Sequence, residues 1–143
     1  MSERHNFSSK TKETLARRVG FRCSNQNCRK LTSGPATEED KSVNIGVAAH
    51  ILPASENGPR KEEATDEQRK HISNGIWLCQ TCSVLIDRDA GKFNKKMLRT
   101  WKEIAEKKAE FELDSSLTDE YFYNDIFFST KLHAIWAAFF DEI

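Results

Sequence analysis

Apolar positions along this chain come in short periodic groups separated by polar stretches, and each group predicts a small element. KTKETLARRV, residues 10–19, reads as a short helix, with Ser8 or Ser9 as its cap and Gly20 where a left-handed residue should follow. SVNIGVAAHI, ending at His50, reads as one extended segment, and residues 31–41 before it as a solvated loop around Gly34-Pro35. Thr65 with Gln68 three residues on matches a capping box, so 66–72 is expected to hold a helical turn or two. Asn74-Gly75 is a turn signal, and IWL after it a short strand. A helix is expected from Cys82, interrupted near Asp89-Ala90-Gly91. Asn94 then caps a longer amphipathic helix with Leu98, Trp101, Ile104, Ala105 and Phe111 on its inner face. The apolar set expected in the core is Val43, Ile45, Val47, Ile76, Leu78, Leu98, Trp101 and Ile104. Near the end, Leu132, Ile135, Trp136, Phe139 and Phe140 form one helical stripe, preceded a turn earlier by Phe128.

This alternation predicts a small α+β domain over residues 1–113 and a separate helical tail over 114–143. Charge sharpens that division. The chain carries 22 Lys+Arg and 22 Asp+Glu, but residues 1–30 hold about +6 and residues 110–143 about −7. The basic head suits a polyanion and the acidic tail repels one, with plain solvated faces as the alternative. The tail is too aromatic to stay in water, so residues 128–140 are expected to self-associate or dock on a partner protein. No apolar run approaches the roughly 20 residues that span a bilayer, so no membrane partner is expected. The N-terminus has no apolar secretory core, and a cytoplasmic location is expected.

All four cysteines fall into two ligand-spaced pairs, Cys23-x4-Cys28 and Cys79-x2-Cys82, with 50 residues between them. Two such knuckles are what a tetrahedral four-thiolate zinc site requires. A redox role for Cys79 and Cys82 competes poorly, because it lacks a βαβ setting and leaves the first pair idle. A site closed by four thiolates cannot activate water, so this zinc is expected to be structural and any chemistry to lie elsewhere.

That chemistry is sought inside the insert, where His50 ends an apolar strand and Asn74 precedes the second knuckle. The segments AAHI, NGPR and NGIWLCQTCSVLID, followed by LRTWKEIAE, resemble the HNH endonucleases of the ββα-metal class, many of which sit on a treble-clef zinc scaffold. The resemblance runs from about Val19 to Glu106 and joins five landmarks in order. It implies that His50 is the general base for attack of water on a phosphodiester, and that Asn74 holds the loop and orients the histidine. It further implies a catalytic magnesium or manganese ion, Arg60 as a phosphate-gripping arginine, DNA as substrate, and a setting in prokaryotic restriction or phage defence.

Two positions depart from the family pattern. Ala49 stands where many members place an Asp or His ligand, and Ser83 where many place a His or Asn. Asp87, one turn beyond Ser83, is a candidate replacement ligand, with local capping or salt-bridging as its alternative role. The leading expectation is therefore an HNH-type, metal-dependent endonuclease. Its rivals are a catalytically degenerate HNH module that binds nucleic acid or a protein, and a zinc-ribbon-like assembly subunit.

Overall fold

The computed structural model describes residues 6–53, 60 and 63–114. Ser8 caps α1 (Ser9–Arg18) by accepting a hydrogen bond from Thr11 N. The helix closes in a Schellman turn: Phe21 N donates to Ala16 O at 2.7 Å and Gly20 N to Arg17 O at 3.1 Å. Gly20 sits at φ +63°, a conformation that is cheap only without a Cβ. Beyond the first cysteine loop come β1 (Ser33–Pro35), β2 (Ser42–Asn44) and β3 (Gly46–His50). A capped turn, α2 (Asp66–Lys70), carries both halves of the Thr65/Gln68 capping box, and a 3-10 turn over Ile72–Asn74 leads into β4 (Gly75–Cys79). Two helices complete the described chain, α3 (Gln80–Arg88) and α4 (Lys95–Asp114). Among the described residues this is a small α+β fold with two antiparallel two-stranded sheets, β1-β2 and β3-β4.

The β3-β4 ribbon is the centre of the domain. Its register runs from Gly46 opposite Cys79 to His50 opposite Gly75, and all five residues of β4 are buried. Side chains alternate between its two faces. On one face Ala49, Ile76 and Leu78 pack with Ile86 of α3, and with Phe93, Leu98 and Trp101. On the other, Trp77 and Ala48 pack with Phe7, Leu15, Ala16 and Val19 around α1, and with Ala105 of α4. Burial on both faces explains why GIWLC reads as a continuous apolar run with no polar alternation.

The single extended segment expected from Ser42 to His50 is divided instead. At Ile45 the chain changes sheets: Ile45 N bonds to Thr32 O at 2.7 Å, and Asn44 Oδ1 accepts from Gly46 N at 3.0 Å. Residues 42–44 pair with 33–35 in a ribbon whose second strand is fully exposed. Val43 and Ile45, expected in the core, are 44 % and 42 % exposed. β-Branched composition marked the segment as extended, but the Asn44-Gly46 turn decided which side chains reach the core. Residues 31–41, expected to be loop, supply β1 through backbone pairing that no hydrophobic period announces.

The tail from residue 115 onward lies outside the described residues, and with it the stripe and the docking expected of residues 128–140. Gly58 and Pro59 lie outside them too. Among the described residues no helix is long and apolar enough to cross a membrane.

The two-sided core allows a direct test at Gly46. A Cβ there would fall inside van der Waals contact with the indole of Trp77, which is only 5 % exposed and donates from Nε1 to Thr32 Oγ1. Gly46→Ala should cost about 1–3 kcal/mol in chemical denaturation, the usual penalty of overpacking. A change within about 0.5 kcal/mol, as for an ordinary surface site, would show that the Trp77 ring is free to move aside.

Candidate metal centre and the strand-end histidine

The first knuckle is a tight loop held by its own backbone. Cys23 N bonds to Lys30 O, while Cys28 N and Arg29 N both bond to Asn25 O. Asn25 Oδ1 accepts from Asn27 N, an Asx turn that folds the loop back. Ser24 N bonds to Trp77 O at 2.9 Å, fastening this loop to β4. The second knuckle forms where β4 becomes α3: Cys79 is the helix N-cap, and its sulfur accepts from Cys82 N at 3.4 Å.

These two loops bring the sulfurs of Cys23, Cys28, Cys79 and Cys82 within 4.8 Å of one another. Cys28 Sγ and Cys79 Sγ are 3.8 Å apart, far beyond a disulfide bond of about 2.05 Å. A tetrahedral ion with metal–sulfur bonds of about 2.3 Å sets its sulfurs about 3.8 Å apart, so the spacing fits a metal. Cys23, Cys79 and Cys82 are buried and Cys28 is exposed at the rim.

The surroundings favour thiolate. Cys82 N, in the first turn of α3, donates to Cys79 Sγ, and Asn25 Nδ2 donates to Cys82 Sγ at 3.3 Å. Without a cation the sulfurs compete. Cys23 is raised, first by its hydrogen bond with Cys82 and then by burial, and burial raises Cys28 as well. Cys82, accepting from Cys23 and Asn25, is held below the ordinary thiol range. One negative charge is thus accommodated while the others are resisted, and a divalent cation removes that conflict.

The strand-end site lies at the opposite end of the β3-β4 ribbon from Cys79. Asn74, 2 % exposed, ties the start of the insert to its end. Its Oδ1 accepts from Leu52 N at 2.8 Å, and its Nδ2 donates to Leu52 O at 3.1 Å and Arg69 O at 2.9 Å. Arg69 Nη1 in turn donates to Pro53 O at 2.8 Å. His50 is half-buried and stacks on Phe7, with ring centroids 4.1 Å apart and planes inclined by 13°. Strand parity puts His50 on the Trp77 face of the ribbon, and Ala49, 8 % exposed, on the face covered by α3.

Arg60 has an inward role that its sequence neighbours did not reveal. Its side chain is 3 % exposed. Nε donates to Ile51 O, Nη1 to Ile86 O and Nη2 to His50 O, at 2.8, 2.8 and 3.0 Å. Nη2 also meets Asp87 Oδ1 at 2.9 Å. In this arrangement the guanidinium grips main-chain carbonyls and one carboxylate, where the sequence led us to expect a phosphate. Asp87, with its side chain 51 % exposed, pairs with Arg60 from 27 residues earlier in the chain. Ser83, one turn earlier on α3, is half-buried. Arg60 therefore connects His50 to Asp87 through the His50 carbonyl. Among the described residues, only the four cysteines form a group of three or more His, Cys, Asp or Glu side chains near enough to share a metal.

Three contributors were not singled out from sequence. Asn25 in CSNQNC carries the turn chemistry of its type. Phe7 packs on the strand-end histidine without any motif. Lys108 continues the Leu98, Trp101, Ala105 stripe at helical spacing and is 2 % exposed, so the period alone marked it as an inner-face residue. No protein-family model and no curated protein matches the chain.

Arg60→Met should destabilise the domain by more than about 2 kcal/mol in denaturant, since it orphans buried carbonyls and a carboxylate. Arg60→Lys should restore little, because an ammonium cannot span the same fork. A phosphate-gripping role would appear as wild-type stability with weakened nucleic-acid affinity.

Proposed function

We propose that this chain is an HNH-type endonuclease domain of the ββα-metal class that hydrolyses phosphodiesters in DNA, with a structural zinc ion held by Cys23, Cys28, Cys79 and Cys82. The observation that carries the reading is the order of parts: strand β3 ending in His50, the insert closed by Asn74, strand β4, then α3 growing out of the second knuckle. Hairpin, then helix, with a histidine at the strand end, is the arrangement that the sequence resemblance implies.

In this reading zinc supplies no catalysis, because four thiolates fill its coordination sphere. His50 accepts the proton of the attacking water, which an imidazole does near neutral pH. Asn74 keeps the histidine-bearing end of the insert in place through Leu52, and Arg60 does the same through the His50 and Ile51 carbonyls. Magnesium or manganese would supply charge stabilisation at the phosphate. The described residues do not gather a ready set of ligands for it: Ala49 offers none, Ser83 only a hydroxyl, and Asp87 is engaged by Arg60.

A second reading is favoured by the same positions. Ala49 and Ser83, the tether on Asp87, and the stacking of His50 away from the α3 face suit a degenerate HNH module that binds nucleic acid without cutting it.

Plasmid DNA incubated with zinc-loaded protein and magnesium or manganese separates the two. Under the first reading the plasmid is nicked or linearised, and His50→Ala slows the reaction about 10²–10⁴-fold with zinc content unchanged. A salt-sensitive shift of DNA in a gel, with no cleavage in either metal, supports the second. Cleavage that survives His50→Ala intact removes the histidine from the mechanism.

A further inference from the structure

Positive charge gathers where α3 passes into α4. Residues 88–102 hold six Lys or Arg side chains against one carboxylate, Asp89. The turn between the helices is closed by Lys92 N and Phe93 N, which both bond to Asp89 O, and Arg88, Lys92, Lys96 and Arg99 are exposed. Elsewhere cations are engaged in ion pairs: Arg17 and Arg18 of the basic head pair with Glu13 and Glu106, Lys41 with Glu38 and Arg60 with Asp87. Among the described residues no carboxylate pairs with Arg88, Lys92, Lys96 or Arg99. The charge does not serve the helix either. Lys95, Lys96, Arg99 and Lys102 all lie in residues 95–102 of α4, whereas Glu103, Glu106, Glu110, Glu112 and Asp114 lie in its second part. That order opposes the helix dipole, which favours acids at the N-terminal end and bases at the C-terminal end.

The position of these cations ties them to the strand-end site. Arg99 Nη1 donates to Ser73 O at 3.3 Å and Lys102 Nζ to Ile72 O at 2.9 Å, so this side of α4 lies against the turn that ends in Asn74. Arg99 and Asn74 line one cleft together with Leu52, which follows His50 and Ile51 in the chain. Glu63 and Glu67 line the same cleft, and their charge keeps a polyanion on its α4 side. We propose that Lys92, Lys96 and Arg99, flanked by Arg88, form the surface that holds the phosphate backbone of a DNA duplex and leads it to the strand-end site. The first two turns of α4 span about 11 Å, and each DNA strand carries one charge per about 3.4 Å of axis, so the surface matches about three phosphates. Contacts of this kind set the position of a duplex without reading its sequence. The sequence pointed to the basic head as the polyanion surface, but two of the head's arginines are already paired within the fold.

This inference rests on the nucleic-acid reading above, and the experiment separates the two. Affinity of the full chain for fluorescent duplexes of two unrelated sequences is measured by anisotropy between about 50 and 200 mM salt. No magnesium or manganese is added, so the result does not depend on cleavage. Four proteins are compared: wild type, Lys92→Gln/Lys96→Gln, Arg99→Gln, and Lys10→Gln/Lys12→Gln, which removes two exposed charges from the head. Each phosphate contact contributes about 0.9 to the slope of log affinity against log salt. Lys92→Gln/Lys96→Gln should therefore lower that slope by about 2 and Arg99→Gln by about 1, on both sequences alike. Lys10→Gln/Lys12→Gln should leave it near wild type. Equal losses for the two double variants would reduce the effect to net charge and overturn the proposal. An unchanged slope in Lys92→Gln/Lys96→Gln also overturns it, leaving these cations to solvent or to a protein partner. Should Arg99→Gln unfold with loss of its bond to Ser73 O, the two double variants decide alone. A wild-type chain that binds neither duplex overturns the nucleic-acid reading itself, before any variant is compared.

Discussion

Four sulfurs held within 4.8 Å of one another are the constraint on which this small domain depends. The cysteine pairs lie 50 residues apart, and closing a loop of that length costs conformational entropy. The apolar core offsets part of that cost, but its two clusters are modest and sit on opposite faces of one two-stranded ribbon. A lone hairpin is marginal in water. Joining the first knuckle to the start of α3 pins β4 at its C-terminal end, where the chain passes from strand to helix. Everything else is arranged from that point: α3 covers one face, α1 the other, and α4 crosses both.

The opposite end of the ribbon is held by polar side chains. Asn74 bonds both main-chain groups of Leu52, while Arg60 gathers the carbonyls of His50, Ile51 and Ile86. Buried main-chain groups that leave a sheet need partners, and these two side chains supply several of them here. The result is a strand end whose histidine has a defined main-chain position. Backbone clamps and a four-cysteine cluster that could hold a metal ion thus sit at opposite ends of the β3-β4 ribbon.

Much of this was legible in the sequence where local chemistry governs. The helix cap at Ser8, the left-handed Gly20, the capping box at Thr65 and the cysteine pairing follow from residues within a few positions of one another. The helical period of α4 also showed its inner face at Leu98, Trp101 and Ala105, while the charge of Lys108 kept it from being named although it continues the same period. Tertiary choices were less visible. Nothing local to Val43 or Ile45 says that the chain changes sheets at Asn44, so their apolar side chains were expected inside and lie outside. Arg60 was expected to grip phosphate, and its carbonyl acceptors, from residues 50, 51 and 86, are brought together only by the fold. The resemblance to HNH nucleases organised the candidate site, but the inward Arg60 and the Phe7 stack on His50 are features that only the three-dimensional arrangement supplies.

The central claim is that the four cysteines fold the domain around one metal ion, proposed to be zinc. Native mass spectrometry of the purified chain, before and after a strong chelator, tests it most directly when paired with circular dichroism on the same samples. The account predicts one zinc per chain, with loss of the ion accompanied by loss of tertiary structure and recovery on adding zinc back. A soluble chain that keeps its native spectrum with no metal bound would contradict it.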